Sequence, residues 1–205
     1  MAVHLNFINR SNDTNNARIV IFQKNAARNT GEIPIAWRVI DYCGVGDNHP
    51  FTFPLSMTVA VSDDQGGYTP QIEAMHGASY HAALMPSGIT LLPSGQASSN
   101  REIQVFNFLQ KGVIDASVYK DGRLLALRTR LGPNQEAAFA FKPSIWIGTA
   151  SQVTQGEVLH PSVLSEVSTE LSLQGIASAD IVMTGGGPGE NAPPFAFSMQ
   201  NIVTA

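Results

Sequence analysis

Charged side chains are scarce in this sequence. Of 205 residues, 12 are Lys or Arg and 16 are Asp or Glu, so charged residues make up 14% of the chain and the formal net charge is -4. Average soluble proteins carry about 25% charged residues. Proteins that bind nucleic acid or dock on anionic membranes usually present a basic field, and this composition does not supply one. We therefore expect no nucleic-acid partner.

Cysteine is nearly absent as well, because Cys43 is the only one in the chain. A single cysteine excludes an intrachain disulfide framework and fits a reducing compartment. The N-terminal residues lack the basic and apolar regions of a signal peptide, and no run approaches the roughly 18 apolar residues of a spanning helix. We expect a protein without a transmembrane segment that is cytoplasmic or is exported without a classical signal peptide.

Helical periodicity is the third feature that the sequence lacks. Short β-branched and aromatic runs recur instead, separated by turn-forming residues at strand-and-turn spacing. Asp121-Gly122 is a strong hairpin signal, and the nearly continuous apolar run at 17–24 predicts a central strand covered on both faces. No repeat of 20 to 50 residues and no interdomain linker is visible. The sequence predicts an all-β protein, an antiparallel β-sandwich or jelly-roll-like single domain over residues 1–205, with at most one short helix.

The helix candidate spans Pro161 to Leu173, where four apolar residues approximate one helical face. The segment from about Val167 also alternates strictly between apolar and polar residues. Because its neighbours are strand-like, we favour a strand over that part of the segment.

Aromatic residues recur in pairs two positions apart, an arrangement that fills the gap between packed sheets. We expect these pairs to lie in the core: Phe51/Phe53, Phe106/Phe108, Phe139/Phe141 and Phe195/Phe197. The even spacing of apolar residues from Phe51 to Val61 further predicts one continuous buried face over 51–62.

Loops that contain aromatic residues, around 42–53 and 68–80, are the candidate ligand-binding regions. The residues predicted to contact a glycan or lipid ligand are Trp37, Tyr42, His49, Phe51, Tyr68 and Tyr80. Exposure of Trp37 and Trp146 would be required for either tryptophan to face a ligand.

The histidines offer a candidate metal site at His49, His76 and His81. No His-x-His pair supports this interpretation, and isolated loop histidines are common in proteins without a metal. Cys43, which follows an apolar strand, is better explained as a small buried residue than as a nucleophile paired with His49. The glycine run at 185–189 is followed by Glu190, which would repel a phosphate, and is better explained as a loop between strands. No cofactor is predicted.

Low charge weakens protection against edge-to-edge association of strands. Our leading hypothesis is therefore a non-enzymatic structural or interaction protein that self-associates into a homo-oligomer or larger array. The alternative is a ligand-binding or membrane-acting β-sandwich, lectin-like or toxin-like, that uses its aromatic loops. A third hypothesis is a metal-dependent enzyme that uses the loop histidines, although the common hydrolase motifs are missing from the sequence.

Overall fold

A computed structural model describes residues 2–15, 17–27, 33–150, 152–160 and 169–205. The described residues form strands and no helix, so the prediction of an all-β, sandwich-like fold is confirmed. The strands are β1 (Ala2–Asn9), β2 (Arg18–Phe22), β3 (Ile33–Pro34), β4 (Arg38–Ile40), β5 (Asn48–Pro54), β6 (Met57–Asp63), β7 (Ile72–Ala74), β8 (Ala78–Met85), β9 (Gly88–Gln96), β10 (Ile103–Asn107), β11 (Ile114–Lys120), β12 (Arg123–Leu131), β13 (Glu136–Phe139), β14 (Ser144–Ala150), β15 (Thr169–Ser172), β16 (Ile176–Thr184) and β17 (Ala196–Thr204). Over the described part of the chain, no helix is long and apolar enough to cross a membrane.

The helix candidate at Pro161 to Leu173 lies largely outside the described residues, because 161–168 are not among them. The described remainder is strand β15, which pairs with β14. The preference for a strand is therefore confirmed over Thr169–Ser172.

Residue contacts divide the chain into two compact units. Unit 1 comprises Met1–Gln23, Ala36–Leu55 and Pro143–Ala205, and unit 2 comprises Lys24–Ile35 and Ser56–Lys142. Each unit contains two sheets. The assignment of residues 1–205 to a single domain stays a prediction.

Unit 1 contains a sheet in the order β17-β16-β1-β5 and a sheet in the order β15-β14-β2-β4. β1 and β16 are parallel, whereas the other neighbours in these sheets are antiparallel. Alternate residues of β1 are buried, which leaves its other face accessible. β2 is buried on both faces, as predicted, because one of its faces packs in an apolar cluster with residues from outside the sheet. That cluster contains Val20, Phe22, Ala36, Val153 and Leu159.

Unit 2 contains a sheet in the order β13-β10-β8-β9 and a sheet in the order β3-β12-β11-β6-β7. β10 and β8 are parallel, and the other neighbours are antiparallel. The predicted hairpin is confirmed between β11 and β12. Its central residues Asp121 and Gly122 have φ values of 54° and 68°, the left-handed conformation that a type I′ turn requires.

The continuous buried face expected over 51–62 is wrong. Phe51 and Phe53 are buried on β5 of unit 1, whereas Met57, the first residue of β6, is buried in unit 2. Leu55 lies between the two strands and is 47% exposed. The chain passes from unit 1 to unit 2 at this junction. The even spacing of apolar residues across it therefore does not mark one continuous face.

Candidate functional site

Two of the residues predicted to bind a ligand lie in the interior of unit 1. Trp37 is fully buried, and its ring meets the ring of Phe53 edge-on at 5.3 Å between centroids. Phe51 is buried as well, with the guanidinium carbon of Arg38 5.0 Å from its ring centroid. Both rings therefore contribute to packing rather than to an accessible surface.

The predicted tyrosines differ in their surroundings. In unit 2, Tyr80 is buried, and its hydroxyl donates to the Glu73 carbonyl at 2.9 Å and accepts from the Met75 N–H at 3.1 Å. Tyr42 of unit 1 is 85% exposed, and Tyr68 of unit 2 is 73% exposed. Ligand contact stays a prediction for these two exposed residues.

The three histidines of the predicted metal site are distributed over both units. His49 lies on β5 of unit 1, half-buried. His76 is exposed in the turn before β8, with Nδ1 3.2 Å from the Arg101 carbonyl oxygen, and His81 is on β8 itself. Over the described residues there is no group of three or more His, Cys, Asp or Glu side chains that could hold a metal ion.

Cys43 is buried, as expected for a packing residue. Burial and the neighbouring carboxylate of Asp47 raise the pKa of its thiol above the ordinary value. A raised pKa disfavours the thiolate, the form of cysteine that acts as a nucleophile.

The glycine run lies in the loop between β16 and β17, next to a cleft of about 570 Å³. Gly186 has a φ of 70°, and a Cβ atom there would clash with the ring of Phe195, so the loop is folded closely on itself. The charged groups lining the cleft already have partners. Asp13 accepts from two backbone N–H groups, and Arg18 pairs with Asp41 at 2.8 Å.

A sheet edge of unit 1 is the first candidate functional surface. β17 is nine residues long and contains neither a charged residue nor proline. In the described part of the chain, its hydrogen-bonded neighbour is β16 alone. Its pairing with β16 is regular from Ala196 to Gln200 and irregular beyond. Ile202 and Val203 at its end are 51% and 55% exposed.

The other edge strands carry features that oppose further pairing. Five of these edge strands are only two to four residues long, namely β3, β4, β7, β13 and β15. The longer edges β5 and β9 contain proline, at positions 50 and 54 in β5 and at 93 in β9. Short length and proline are the usual means by which proteins prevent edge-to-edge association. β17 has neither.

An aromatic cluster on unit 2 is the second candidate surface. The rings of Phe106 and Phe108 lie 5.8 Å apart, and the His81 ring lies 5.2 Å from that of Phe108. Phe108 is 55% exposed. Phe106 is opposite His81 on one neighbouring strand and opposite Glu136 on the other. We call His81, Phe106 and Phe108 the aromatic surface.

The prediction that Phe106 and Phe108 are core residues is wrong. On β10 the buried apolar residues are Ile103 and Val105, and Phe106 lies on the opposite face of the strand, which it shares with the buried polar residue Gln104. Each of the two alternating sets contains both apolar and polar residues, so residue type alone does not identify the inward face.

Lys120 was not identified from the sequence. It is 5% exposed at the end of β11, and burial lowers the pKa of its amine to about 7. Lysine is rarely fully buried, and the sequence around this residue carries no signal of its burial.

No protein-family model, curated protein or solved structure matches this chain.

Proposed function

We propose that this chain is a non-enzymatic protein that self-associates, and that β17 of one copy pairs with β17 of a second copy. The observation that carries the proposal is the long, uncharged and proline-free edge strand Ala196–Thr204. Pairing would join two sheets of the order β17-β16-β1-β5 into one continuous sheet.

The chemistry of a sheet edge favours another strand as its partner. An edge strand presents a row of backbone N–H and C=O groups with the spacing of strand-to-strand hydrogen bonds. A second strand can form hydrogen bonds with these N–H and C=O groups in turn. The regularly paired stretch from Ala196 to Gln200 provides the part of this edge with undisturbed strand geometry. Ile202 and Val203 add exposed apolar side chains next to it.

A second copy of the chain is the partner that this edge fits. Antiparallel pairing of a strand with its own copy about a twofold axis is self-complementary, so one edge suffices for a closed dimer. The strand has no charge that would repel its copy, and the net charge of the whole chain is only -4. Charged residues on edge strands are the usual obstacle to such contacts.

The test is the light-scattering mass of the protein over a wide concentration range, with negative-stain images of the same samples. We expect the mass to rise above 21.9 kDa with concentration. The double variant S198K/Q200K places two positive charges on the exposed side chains of β17. It should weaken association by about tenfold or more, because like charges repel across paired strands.

The matched control is N48K/T52K, which adds the same charge to exposed positions on β5, the opposite edge of the same sheet. This variant should associate like the wild type. A mass of 21.9 kDa for the wild type at every concentration would overturn the proposal. Equal behaviour of the two double variants would overturn the assignment to β17.

The aromatic surface favours a second candidate function, the binding of a glycan. Exposed rings give a platform for the apolar face of a sugar ring, and a few polar groups around such a platform fix the ligand's orientation. Glu136 and His81 flank Phe106 in one row across three neighbouring strands. Their side chains are of the kinds that hydrogen-bond to sugar hydroxyls.

We expect a panel of soluble oligosaccharides to include a binder for which F108S lowers the affinity about tenfold, since it removes the exposed ring. Leu84→Ser is the matched control, because Leu84 is 73% exposed but lies outside the ring cluster. Isothermal titration calorimetry provides the affinities. Equal binding by F108S and the wild type, or binding only to liposomes, would contradict this candidate.

A further inference from the structure

We infer that the chain consists of two copies of one structural repeat, and that each compact unit joins the first part of one copy to the second part of the other. The first copy has a leading segment, residues 2–54, and a trailing segment, residues 57–97. The second copy has a leading segment, residues 103–140, and a trailing segment, residues 144–205. The trailing segment that pairs with each leading segment therefore comes from the other copy.

The strand pairings of the two copies correspond. In the leading segments, the antiparallel pairs β1·β5 and β2·β4 of the first copy match β10·β13 and β11·β12 of the second. In the trailing segments, β6·β7 and β8·β9 match β14·β15 and β16·β17. β3 alone has no counterpart among the described strands.

The pairings between leading and trailing segments correspond as well, and they cross from one copy to the other. β1 runs parallel to β16, just as β10 runs parallel to β8. β2 is antiparallel to β14, just as β11 is antiparallel to β6. Unit 1 thus combines the first leading segment with the second trailing segment, except that residues 24–35, which contain β3, belong to unit 2. Unit 2 otherwise combines the second leading segment with the first trailing segment.

The correspondence extends to individual residues of the leading segments. Leu5 is opposite Phe51 in the first copy, and Ile103 is opposite Phe139 in the second. Three residues further along β1 and β10, Ile8 is opposite Asn48 and Phe106 is opposite Glu136. The antiparallel pairs β1·β5 and β10·β13 therefore share one register.

A buried asparagine at the end of β1 and of β10 makes the same hydrogen bonds in each copy. The side-chain amide of Asn9 donates to the Cys43 carbonyl at 2.8 Å, and that of Asn107 donates to the Leu131 carbonyl at 2.8 Å. Each side-chain oxygen accepts from the backbone N–H two residues on, at 3.0 Å in both copies.

The backbones of these two asparagines engage matching turns. Asn9 N–H donates to the Asp47 carbonyl and its own carbonyl accepts from Gly46, at 3.1 and 2.7 Å. Asn107 makes the same pair of bonds with Gln135 and Asn134, at 2.9 and 2.8 Å. Gly46 and Asn134 both have positive φ, 91° and 62°.

The trailing segments share a turn of their own. Before β8, Ala78 N–H donates to the Met75 carbonyl at 3.1 Å, and before β16, Ile176 N–H donates to the Leu173 carbonyl at 3.2 Å. The glycine carbonyl of each turn then accepts from the residue that follows the last strand of the copy. Those bonds run from Ala97 to Gly77 at 2.8 Å and from Ala205 to Gly175 at 3.0 Å.

The crossing of segments is tested by cutting the folded protein between the two copies. A protease site inserted between Asn100 and Arg101 lies in the exposed loop that joins β9 to β10. We expect the two fragments to elute together in native gel filtration at the mass of the uncut chain and to separate only in denaturant. Separation into two free halves without denaturant would overturn the inference.

The equivalence of the copies is tested by moving a turn from one copy to the other. The triple variant P133V/N134G/Q135D gives the second copy the turn sequence Gly-Val-Gly-Asp of residues 44–47. We expect its urea midpoint to lie within about 0.5 M of the wild type. The control P133G/N134V/Q135D has the same composition but places valine at the left-handed position, which should lower the midpoint by about 1 M. Equal losses in the two variants would overturn the equivalence.

Discussion

Replacing Asn107 with alanine is expected to lower the free energy of unfolding by about 3 to 5 kcal/mol. The side-chain amide of Asn107 donates to the carbonyls of Leu131 and Gly112, at 2.8 and 3.2 Å, and its oxygen accepts from the Leu109 N–H. Alanine would remove a buried hydrogen bond from the Leu131 carbonyl and another from the Leu109 N–H, whereas the Gly112 carbonyl belongs to an exposed residue that water can reach. Each buried group left without a partner costs about 1 to 3 kcal/mol.

Urea denaturation followed by circular dichroism measures this loss. Asn9→Ala should give a loss of the same size, because Asn9 holds the corresponding turn of unit 1. Asn48→Ala is the control, since Asn48 is exposed on β5 and its replacement should change the free energy of unfolding by less than about 0.5 kcal/mol. A loss below about 1 kcal/mol for Asn107→Ala would contradict a structural role for this side chain.

Replacing Lys120 with methionine is expected to stabilise the protein by roughly 3 to 6 kcal/mol at pH 6 and by much less at pH 10. Burial lowers the pKa of the Lys120 amine from 10.5 to about 7. Each pKa unit corresponds to about 1.4 kcal/mol. Methionine has a similar length and no charge to desolvate.

The direction in which the free energy of unfolding changes with pH follows from the number of protons that the folded and unfolded states bind. Between pH 7 and pH 10.5 the unfolded chain keeps the Lys120 amine protonated while the folded chain releases the proton. The free energy of unfolding therefore rises with pH in this range. Below pH 7 both states are protonated, and the folded state carries the full cost of the buried charge.

The measurement is the free energy of unfolding of the wild type and of K120M at intervals from pH 6 to pH 10. The difference between the two proteins isolates Lys120 from other groups that titrate in this range. That difference should shrink steadily as the pH rises above 7. Parallel curves would contradict the lowered pKa of Lys120.

Local sequence determined much of the secondary structure. The spacing of β-branched and turn-forming residues predicted an all-β chain, and Asp121-Gly122 predicted a hairpin whose type I′ turn needs positive φ at both positions. The continuous apolar run at 17–24 predicted a strand covered on both faces, which β2 is. These properties depend on neighbouring residues, so one sequence is enough to predict them.

The candidate sites were predicted less well. Residue type does not distinguish a buried ring from an exposed one: Trp37 and Tyr80 are buried, whereas Phe108 is exposed. An aromatic ring packs equally well in a core or on a binding surface. The face that a strand residue occupies is set by register, and register depends on the partner strand.

Composition determined that this chain carries little charge, and the spacing of apolar and turn-forming residues determined its all-β character and its clearest turn. Only the tertiary structure decided which strands pair, that β1 and β10 have parallel neighbours from the other copy, and that β17 is left at an edge. Backbone hydrogen bonds, and not side-chain identities, define the pairings of the repeat, so residue types do not reveal it. Strand pairing joins residues far apart in the chain through groups that every residue carries, so local sequence holds little information about it.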